Sequence, residues 1–388
     1  MIVTIVSKGN LTFNKANPFS VENHKLTISV DGDLIFTGTG GFEGNLVLDN
    51  STIDIKAKNI VFKDLNDFAI KVPSRKLKHG VTINLTADTI SKTGPGLIVD
   101  AYQTPMVNIN LTGNMQINCI SNVPLFKLEG INEGEIAPSS LTMKYSGDSE
   151  FIRPSENGVE VALIRASTNS TVKIVPTDEN SSLHMQGVID SYKSTPDIYI
   201  NLGKKGSWKG GGIGKASSIK LDLGNDGSFF VGDNAMGEVI IVGGKGTITN
   251  TVNESFSATC IIDMQRREGI NINLIPQRRV KRQLVTAYKN VPVSAGINID
   301  LSQWGELKEQ EKIPLAYFDD SIASLLDGKV IRDSKNGYTH FYEDLTTVQK
   351  TNEKNQKDPD LSLLVVSLEK HKATPLIDYS AQFGKEGL

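Results

Sequence analysis

The run Ser146-Gly147-Asp148-Ser149 contains the residue types of a serine-nucleophile enzyme. Such an enzyme also needs a histidine base and a carboxylate that orients the histidine. The chain has five histidines, and none lies in a recognisable motif: His24, His79, His184, His340 and His371. A Gly-Asp pair is typical of a turn, so a turn is the favoured interpretation of this run. We therefore predict that the protein is not an enzyme and has no catalytic residues.

A recurrent phrase, apolar–x–apolar–Asn/Asp–Leu, could align carboxyl groups for cleavage of a sugar. That chemistry needs two carboxyl groups about 5–10 Å apart. The phrase stands at 81–85, 107–111, 198–202, 219–223 and 270–274, and looser copies begin at 141, 172 and 239. Its fourth residue is Asn in every full copy except the one with Asp222. Because Asn cannot exchange a proton at neutral pH, we expect hydrogen-bonded Asn in turns or in stacked rows.

Metal and cofactor sites are not indicated. No two His or Cys residues have metal-ligand spacing. The glycine-rich run 209–214 lacks the Gly-Lys-Ser/Thr ending of a phosphate loop, and we interpret it as a loop between coils. Cys119 and Cys260 lie in apolar, strand-like stretches, which favours buried free thiols. A disulfide between them would need Cα atoms about 6 Å apart on neighbouring coils.

Two basic patches are the candidate binding residues. The first consists of Arg75, Lys76 and Lys78, and the second consists of Arg278, Arg279, Lys281 and Arg282. Either patch could bind a sulfated glycan or another anionic surface by charge. Short charge runs are also common on solvated loops, and that is the favoured interpretation. The second patch could also be an exposed protease site, because a dibasic loop is easily cut.

Composition favours an elongated body with thin aliphatic layers. The chain has 388 residues, of which 38% are hydrophobic and only 6% aromatic, with 35 glycines. The formal charge of −3 gives no support for a nucleic-acid partner or an anionic membrane. No apolar run is long enough to span a bilayer. The N-terminal residues lack the pattern of a signal peptide, so a cytoplasmic protein and an excised piece with an added Met both remain open.

The spacing of the phrase predicts the fold. Alternation of period two begins at Lys25 and indicates half-buried strands, whereas no helical periodicity persists over 25–275. From Val107 onward the copies start 20 to 34 residues apart. Irregular spacing with a minimum near 20 is typical of a solenoid whose extra residues form loops, whereas a β-sandwich has shorter and more even spacing. We predict an all-β chain that forms a right-handed parallel β-helix with an antiparallel C-terminal cap.

Residues 198–250 resemble the coils of a pertactin-like autotransporter passenger domain, in which a strand, a Gly/Asn turn and a Ser-Trp or Ser-Phe-Phe step recur. Residues 270–301 are similar to the C-terminal stem of such passengers. The resemblance implies a β-helix shaft over 1–275 and an autochaperone-like stem or cap over 276–345. Residues 346–388 are left as a linker and partly disordered tail.

The resemblance also implies a function. Such passengers are exported through the periplasm and outer membrane and are secreted or displayed on the cell surface. We expect an adhesin or receptor-binding virulence factor whose partner is a host cell-surface protein or glycan. It would be a monomer without a cofactor, attached to a membrane only through a barrel that this sequence does not contain. The alternatives are a carbohydrate-active β-helix enzyme, such as a lyase or depolymerase, and a structural spacer.

Overall fold

A computed structural model shows an all-β chain whose strands join into one sheet. The structure describes residues 1–14, 16–38, 45–65, 67–73, 79–102, 106–118, 123–129, 138–153, 162–167, 170–192, 196–213, 218–232, 235, 237–252, 258–277, 285–304, 312–319, 322, 330–331, 341–351 and 357–370. The strands within these ranges are β1 (Ile2–Ser7), β2 (Leu11–Phe13), β3 (Ser20–Val21), β4 (Lys25–Thr37), β5 (Asn45–Val47), β6 (Ser51–Lys63), β7 (Phe68–Lys71), β8 (Val81–Lys92), β9 (Leu97–Tyr102), β10 (Val107–Asn118), β11 (Phe126–Glu129), β12 (Ser140–Tyr145), β13 (Asp148–Ile152), β14 (Ala162–Ser167), β15 (Thr171–Pro176), β16 (Ser182–Tyr192), β17 (Asp197–Asn201), β18 (Ser207–Ile213), β19 (Ser218–Val231), β20 (Gly237–Val252), β21 (Ala258–Asp263), β22 (Ile270–Pro276), β23 (Val285–Lys289), β24 (Gly296–Ile299), β25 (Lys312–Asp319), β26 (Val330–Ile331), β27 (Phe341–Thr351) and β28 (Lys357–Lys370).

Parallel pairing arranges these strands in three ladders. The first ladder contains β1, the first parts of β4, β6, β8 and β10, then β12, β15 and β17, the first parts of β19 and β20, and finally β21, β23 and β25. The second ladder contains β2, the second parts of the same long strands, and β13, β16, β18, β22 and β24. The third ladder contains β3, β5, β7, β9, β11 and β14, and ends on the last residues of β16 and β18.

Apolar side chains from the three ladders form the core. In the first ladder one inward row is continuous through nine strands: Ile28, Ile55, Leu85, Leu111, Met143, Ile174, Ile200, Leu221 and Ile241. In the second ladder the rings of Phe36 and Phe62 stack with centroids 5.2 Å apart, and Trp208 packs on Phe229 at 5.1 Å. Each such ring removes a large apolar area from water, so the inward rows supply most of the driving force for folding.

The register separates copies of the phrase that look alike in sequence. Val81 pairs with Val107 and Ile198 pairs with Ile219, as the phrase predicts. The copy at 270–274 lies instead in the second ladder, where Ile270 pairs with Gly246. This copy therefore shares the alternation of the others but occupies a different place in the fold. Both ladders need inward apolar residues at alternate positions, so the alternation alone does not identify the ladder.

Two local predictions are corrected by the strands. The glycine-rich run 209–214 was interpreted as a loop, yet Lys209–Ile213 belongs to β18 and pairs with β16. Glycine is required there because a Cβ on Gly210 would collide with the carbonyl oxygen of Gly187. The region 346–388 was left as a linker and tail, yet its described residues lie in strands β27 and β28.

Among the described strands, antiparallel ladders join those near the C-terminal end, and elsewhere one isolated antiparallel bridge links Ser182 to Gly203. β28 pairs antiparallel with β25 on one side and with β27 on the other, and β27 pairs antiparallel with β26. The apolar segment 361–368 lies within strand β28. Leu363 and Leu364 of this strand are buried against the core.

Candidate functional site

Three polar residues of the second ladder form a hydrogen-bonded chain on its outward face. His184 Nε2 lies 3.1 Å from Asp148 Oδ1, and His184 Nδ1 lies 2.8 Å from Ser207 Oγ. The residues come from three successive strands, β13, β16 and β18, so each residue is one strand spacing from the next. The side chains of His184 and Asp148 are 37% and 77% exposed, which leaves the group open to solvent. We name these three residues the outer triad.

The backbone around Asp148 fixes its position. Gly147 has φ of 58°, a conformation that favours glycine, and it turns the chain from β12 into β13. The carbonyl oxygen of Asp148 accepts hydrogen bonds from the side-chain amides of Asn114 at 3.2 Å and Gln116 at 2.9 Å. Ser182 Oγ also donates to Asp148 Oδ1 at 2.7 Å. The carboxylate is therefore held toward β16 although it is exposed.

Ser207 is positioned by its buried neighbour. Trp208 is fully buried, packs on Phe229, and donates from its indole nitrogen to the carbonyl oxygen of Gly187 at 2.9 Å. Because successive side chains of a strand point to opposite faces, an inward Trp208 directs Ser207 outward to His184. The buried indole thus sets the orientation of the hydroxyl.

The hydrogen-bond partners determine the tautomer of His184. An ionised carboxylate can only accept hydrogen bonds, so Nε2 must carry the proton that faces Asp148. In the neutral ring Nδ1 is then unprotonated and accepts a hydrogen bond from the Ser207 hydroxyl. The order carboxylate, imidazole, hydroxyl is that of a nucleophilic serine and its base, with the two ring nitrogens exchanged in role.

Other polar residues share this face. Glu150 is the register partner of His184, and Ser228 is the register partner of Ser207. In the next outward row Gln186 pairs with Lys209, which is exposed. The outer triad is therefore flanked on one side by an amide and an ammonium group that can donate hydrogen bonds.

A second polar group lies on the outward face of the first ladder. Lys25 Nζ lies 2.5 Å from Asp54, Asn84 donates to Asp54 at 2.6 Å, and Asn110 donates to Asn84 at 2.8 Å. We name these four residues the Asn ladder. Burial raises the pKa of Asp54, but the hydrogen bonds from Lys25 and Asn84 outweigh it and hold that pKa below its ordinary value. The prediction that Asn residues stack along the repeat is confirmed here.

The Asn and Asp of the later copies act differently. Asn201 Oδ1 accepts from the backbone N–H of Gly203 at 2.7 Å, and Asp222 Oδ1 accepts from that of Gly224 at 2.8 Å. These bonds close turns between the first and second ladders. Burial, and then the nearby Asp222 carboxylate, raises the pKa of Tyr199, whose hydroxyl donates to Asp222 Oδ2 at 3.2 Å. The same phrase therefore builds a stack in one region and turns in another.

The two predicted basic patches stay predictions. Arg75, Lys76 and Lys78, and Arg278, Arg279, Lys281 and Arg282, lie outside the described residues. Cys119 also lies outside them, whereas Cys260 is a buried free thiol. Burial raises the pKa of Cys260 to about 12.

Sequence reasoning missed the outer triad. Asp148 was assigned to a turn and His184 to no motif, because the three residues are far apart in the chain. The signal that could have found them is the register, in which His184 falls opposite Ser207.

Comparisons with known protein families, characterised proteins and solved structures gave no match for this chain. Within the described residues no group of three or more His, Cys, Asp or Glu side chains could hold a metal ion. No helix in that part of the chain is long and apolar enough to cross a membrane.

Proposed function

We propose that the chain is a right-handed parallel β-helix with an antiparallel C-terminal cap that binds a host cell-surface protein or glycan. In this proposal it is a passenger-type adhesin, secreted or displayed on a bacterial surface, and the segments between its ladders carry the binding residues. The three parallel ladders support the helical path of the chain, because successive strands of one ladder are separated by strands of the other two.

The distribution of connection lengths is the observation that carries the binding function. β4, β6, β8, β10, β19 and β20 pass from the first ladder to the second without interruption. Connections elsewhere vary widely: β13 ends at Ile152 and β14 begins at Ala162, whereas β16 enters the third ladder with no break. The remaining connections from the first ladder to the second are short, as from Pro176 to Ser182, whereas another corner runs from Glu129 to Ser140. Greater length variation at some corners than at another is typical of a rigid scaffold that presents functional loops.

The outward rows support a binding role for the loops over one for the strand faces. In the Asn ladder the polar groups are already hydrogen-bonded to each other. A ligand that displaced those bonds would have to replace them, which reduces the net gain from binding.

Binding of the purified chain to a glycan array that includes sulfated glycans, and to cultured epithelial cells, tests the proposal. One variant replaces Arg75, Lys76 and Lys78 with Ser, and another replaces Arg278, Arg279, Lys281 and Arg282. A matched control removes three positive charges from exposed strand positions, Lys56, Lys144 and Lys173. We expect binding by the wild type and the control, and weaker binding by at least one patch variant. The absence of binding to both the array and the cells would contradict the proposal.

A further inference from the structure

We propose that the outer triad is a reactive site, in which Ser207 is a nucleophile toward short-chain carboxylic esters, His184 is its general base and Asp148 orients the histidine. This activity goes beyond binding and does not depend on it. The 2.8 Å contact between Ser207 Oγ and His184 Nδ1 lies within the range needed for proton transfer. The 3.1 Å contact of Nε2 with Asp148 holds the tautomer that leaves Nδ1 free to accept that proton.

The reaction balances without a metal or a redox partner. Ser207 Oγ attacks the ester carbonyl carbon, and its proton passes to His184 Nδ1. The carbon–oxygen bond to the alcohol then breaks, and the alcohol leaves with the proton from Nδ1. Water attacks the acyl-serine, gives a proton to Nδ1, and releases the carboxylic acid as Ser207 Oγ recovers its proton. Asp148 stays ionised and stabilises the transient imidazolium.

The surroundings determine the class of ester. A tetrahedral intermediate needs donors near its oxyanion, and Gln186 and Lys209 lie in the adjacent outward row. The outward neighbours of the triad in register are polar, namely Glu150, Ser182 and Ser228. In the adjacent row the 40% exposed ring of Phe230, the register partner of Lys209, offers a limited apolar contact. A small acyl group such as acetyl, carried on a polar alcohol, fits this face best.

A structural role is the competing explanation, since outward Ser, His and Asp can simply close hydrogen bonds between strands. The two roles differ at Ser228, the register partner of Ser207. Both serines are half-buried on the same outward row, but only Ser207 contacts the imidazole. The variants Ser207→Ala and Ser228→Ala therefore form a matched pair that separates nucleophilicity from exposure.

The experiment uses the full chain with 4-nitrophenyl acetate and with a fluorophosphonate probe. We expect the probe to label Ser207, identified by mass spectrometry of the modified peptide, and Ser207→Ala to abolish labelling. Ser207→Ala and His184→Gln should each lower ester hydrolysis by about a hundredfold or more, as loss of base catalysis does. Ser228→Ala should change neither readout.

Further variants control for folding and for background reaction. His79→Gln removes an exposed imidazole and should leave turnover unchanged, which accounts for non-specific attack by histidine. Circular dichroism of each variant establishes that it is folded. Equal labelling of the wild type and Ser207→Ala, or no labelling of a folded wild type, would overturn the proposal. Either result would leave the binding function untouched, because that function is measured on arrays and cells.

Discussion

Asn84 donates a hydrogen bond from its side-chain amide to Asp54 Oδ1 at 2.6 Å, one strand away in the first ladder. Asp54 also forms an ion pair with Lys25, and Asn84 accepts a hydrogen bond from Asn110. The four side chains therefore form one continuous row. The row lies outside the apolar core and is partly exposed to solvent. Its contribution to stability is therefore electrostatic and depends on pH.

Acidification should weaken the Asn ladder. The pKa of Asp54 is lowered in the folded chain from its ordinary value of 3.8. A depressed carboxyl pKa adds stability above the unfolded value, and this stability is lost as the pH falls through the folded value. We expect Asp54→Asn to keep the acceptor for Asn84, lose the pairing with Lys25, and cost less than about 1 kcal/mol at neutral pH.

Thermal unfolding between pH 6 and pH 3 measures this effect. The melting temperature of Asp54→Asn should fall less on acidification than that of the wild type. Asp88→Asn removes an exposed carboxylate that makes no hydrogen bond or ion pair with the described residues, and it should behave like the wild type. Identical pH dependence of the wild type and Asp54→Asn would show that the ion pair contributes nothing.

The neighbouring residues Phe229 and Phe230 provide a direct test of the core. Phe229 is fully buried and packs on Trp208, whereas Phe230 is 40% exposed on the other face of β19. Phe229→Ala should lower the free energy of unfolding by about 3–5 kcal/mol, because it leaves a cavity. Phe230→Ala should change it by about 0.5 kcal/mol or less.

Hydrogen exchange shows which strands are weakened in the Phe229→Ala variant. Because strands of a stacked sheet contact mainly their neighbours, exchange in Phe229→Ala should accelerate first in peptides of β18, β19 and β20. Denaturant midpoints for the two variants give the energetic comparison. Equal loss of stability in both would mean that the two faces of β19 are not distinguished as described.

The alternation of apolar and polar residues was enough to predict strands and an inward aliphatic core. It was not enough to predict register. Leu141 pairs with Ile109, not with Val107, although the sequence phrase aligns Leu141 with Val107. A shift of two residues keeps every side chain on its face, so hydrophobic pattern does not distinguish the two alignments.

The outer triad was missed for the same reason. His184 and Ser207 are 23 residues apart, and their contact exists only because β16 and β18 pair in one particular register. The Asn residues were easier to predict, because stacking and turn formation both follow from their amide groups. Which copies stack and which form turns depends on whether the chain bends directly after the phrase, as it does at Gly203 and Gly224, which both have a left-handed φ.

Gly224 is a corner residue that should not tolerate a side chain. Its φ of 65° lies in the left-handed region, and a Cβ would meet the carbonyl oxygen of Gly203, which lies in the connection between β17 and β18. Gly224→Ala should cost at least about 1–2 kcal/mol from backbone strain alone. Gly9→Ala is the control, because no atom lies within 4 Å of the position its Cβ would take. Urea midpoints for the two variants should differ, and matching midpoints would contradict the described corner geometry.

Cys260 should react with alkylating reagents only when the structure opens. Its thiol is buried, and burial raises its pKa to about 12. The thiolate is the reactive form, and the raised pKa keeps this group almost entirely as the thiol at pH 8. We expect iodoacetamide to leave the Cys260 peptide unmodified in the native protein and to modify it fully in urea. Mass spectrometry of that peptide follows the reaction, and the rate in intermediate urea should track loss of the sheet. Rapid alkylation of Cys260 in the native protein at pH 8 would show that solvent reaches this thiol, although its strand β21 pairs with β20 and β23.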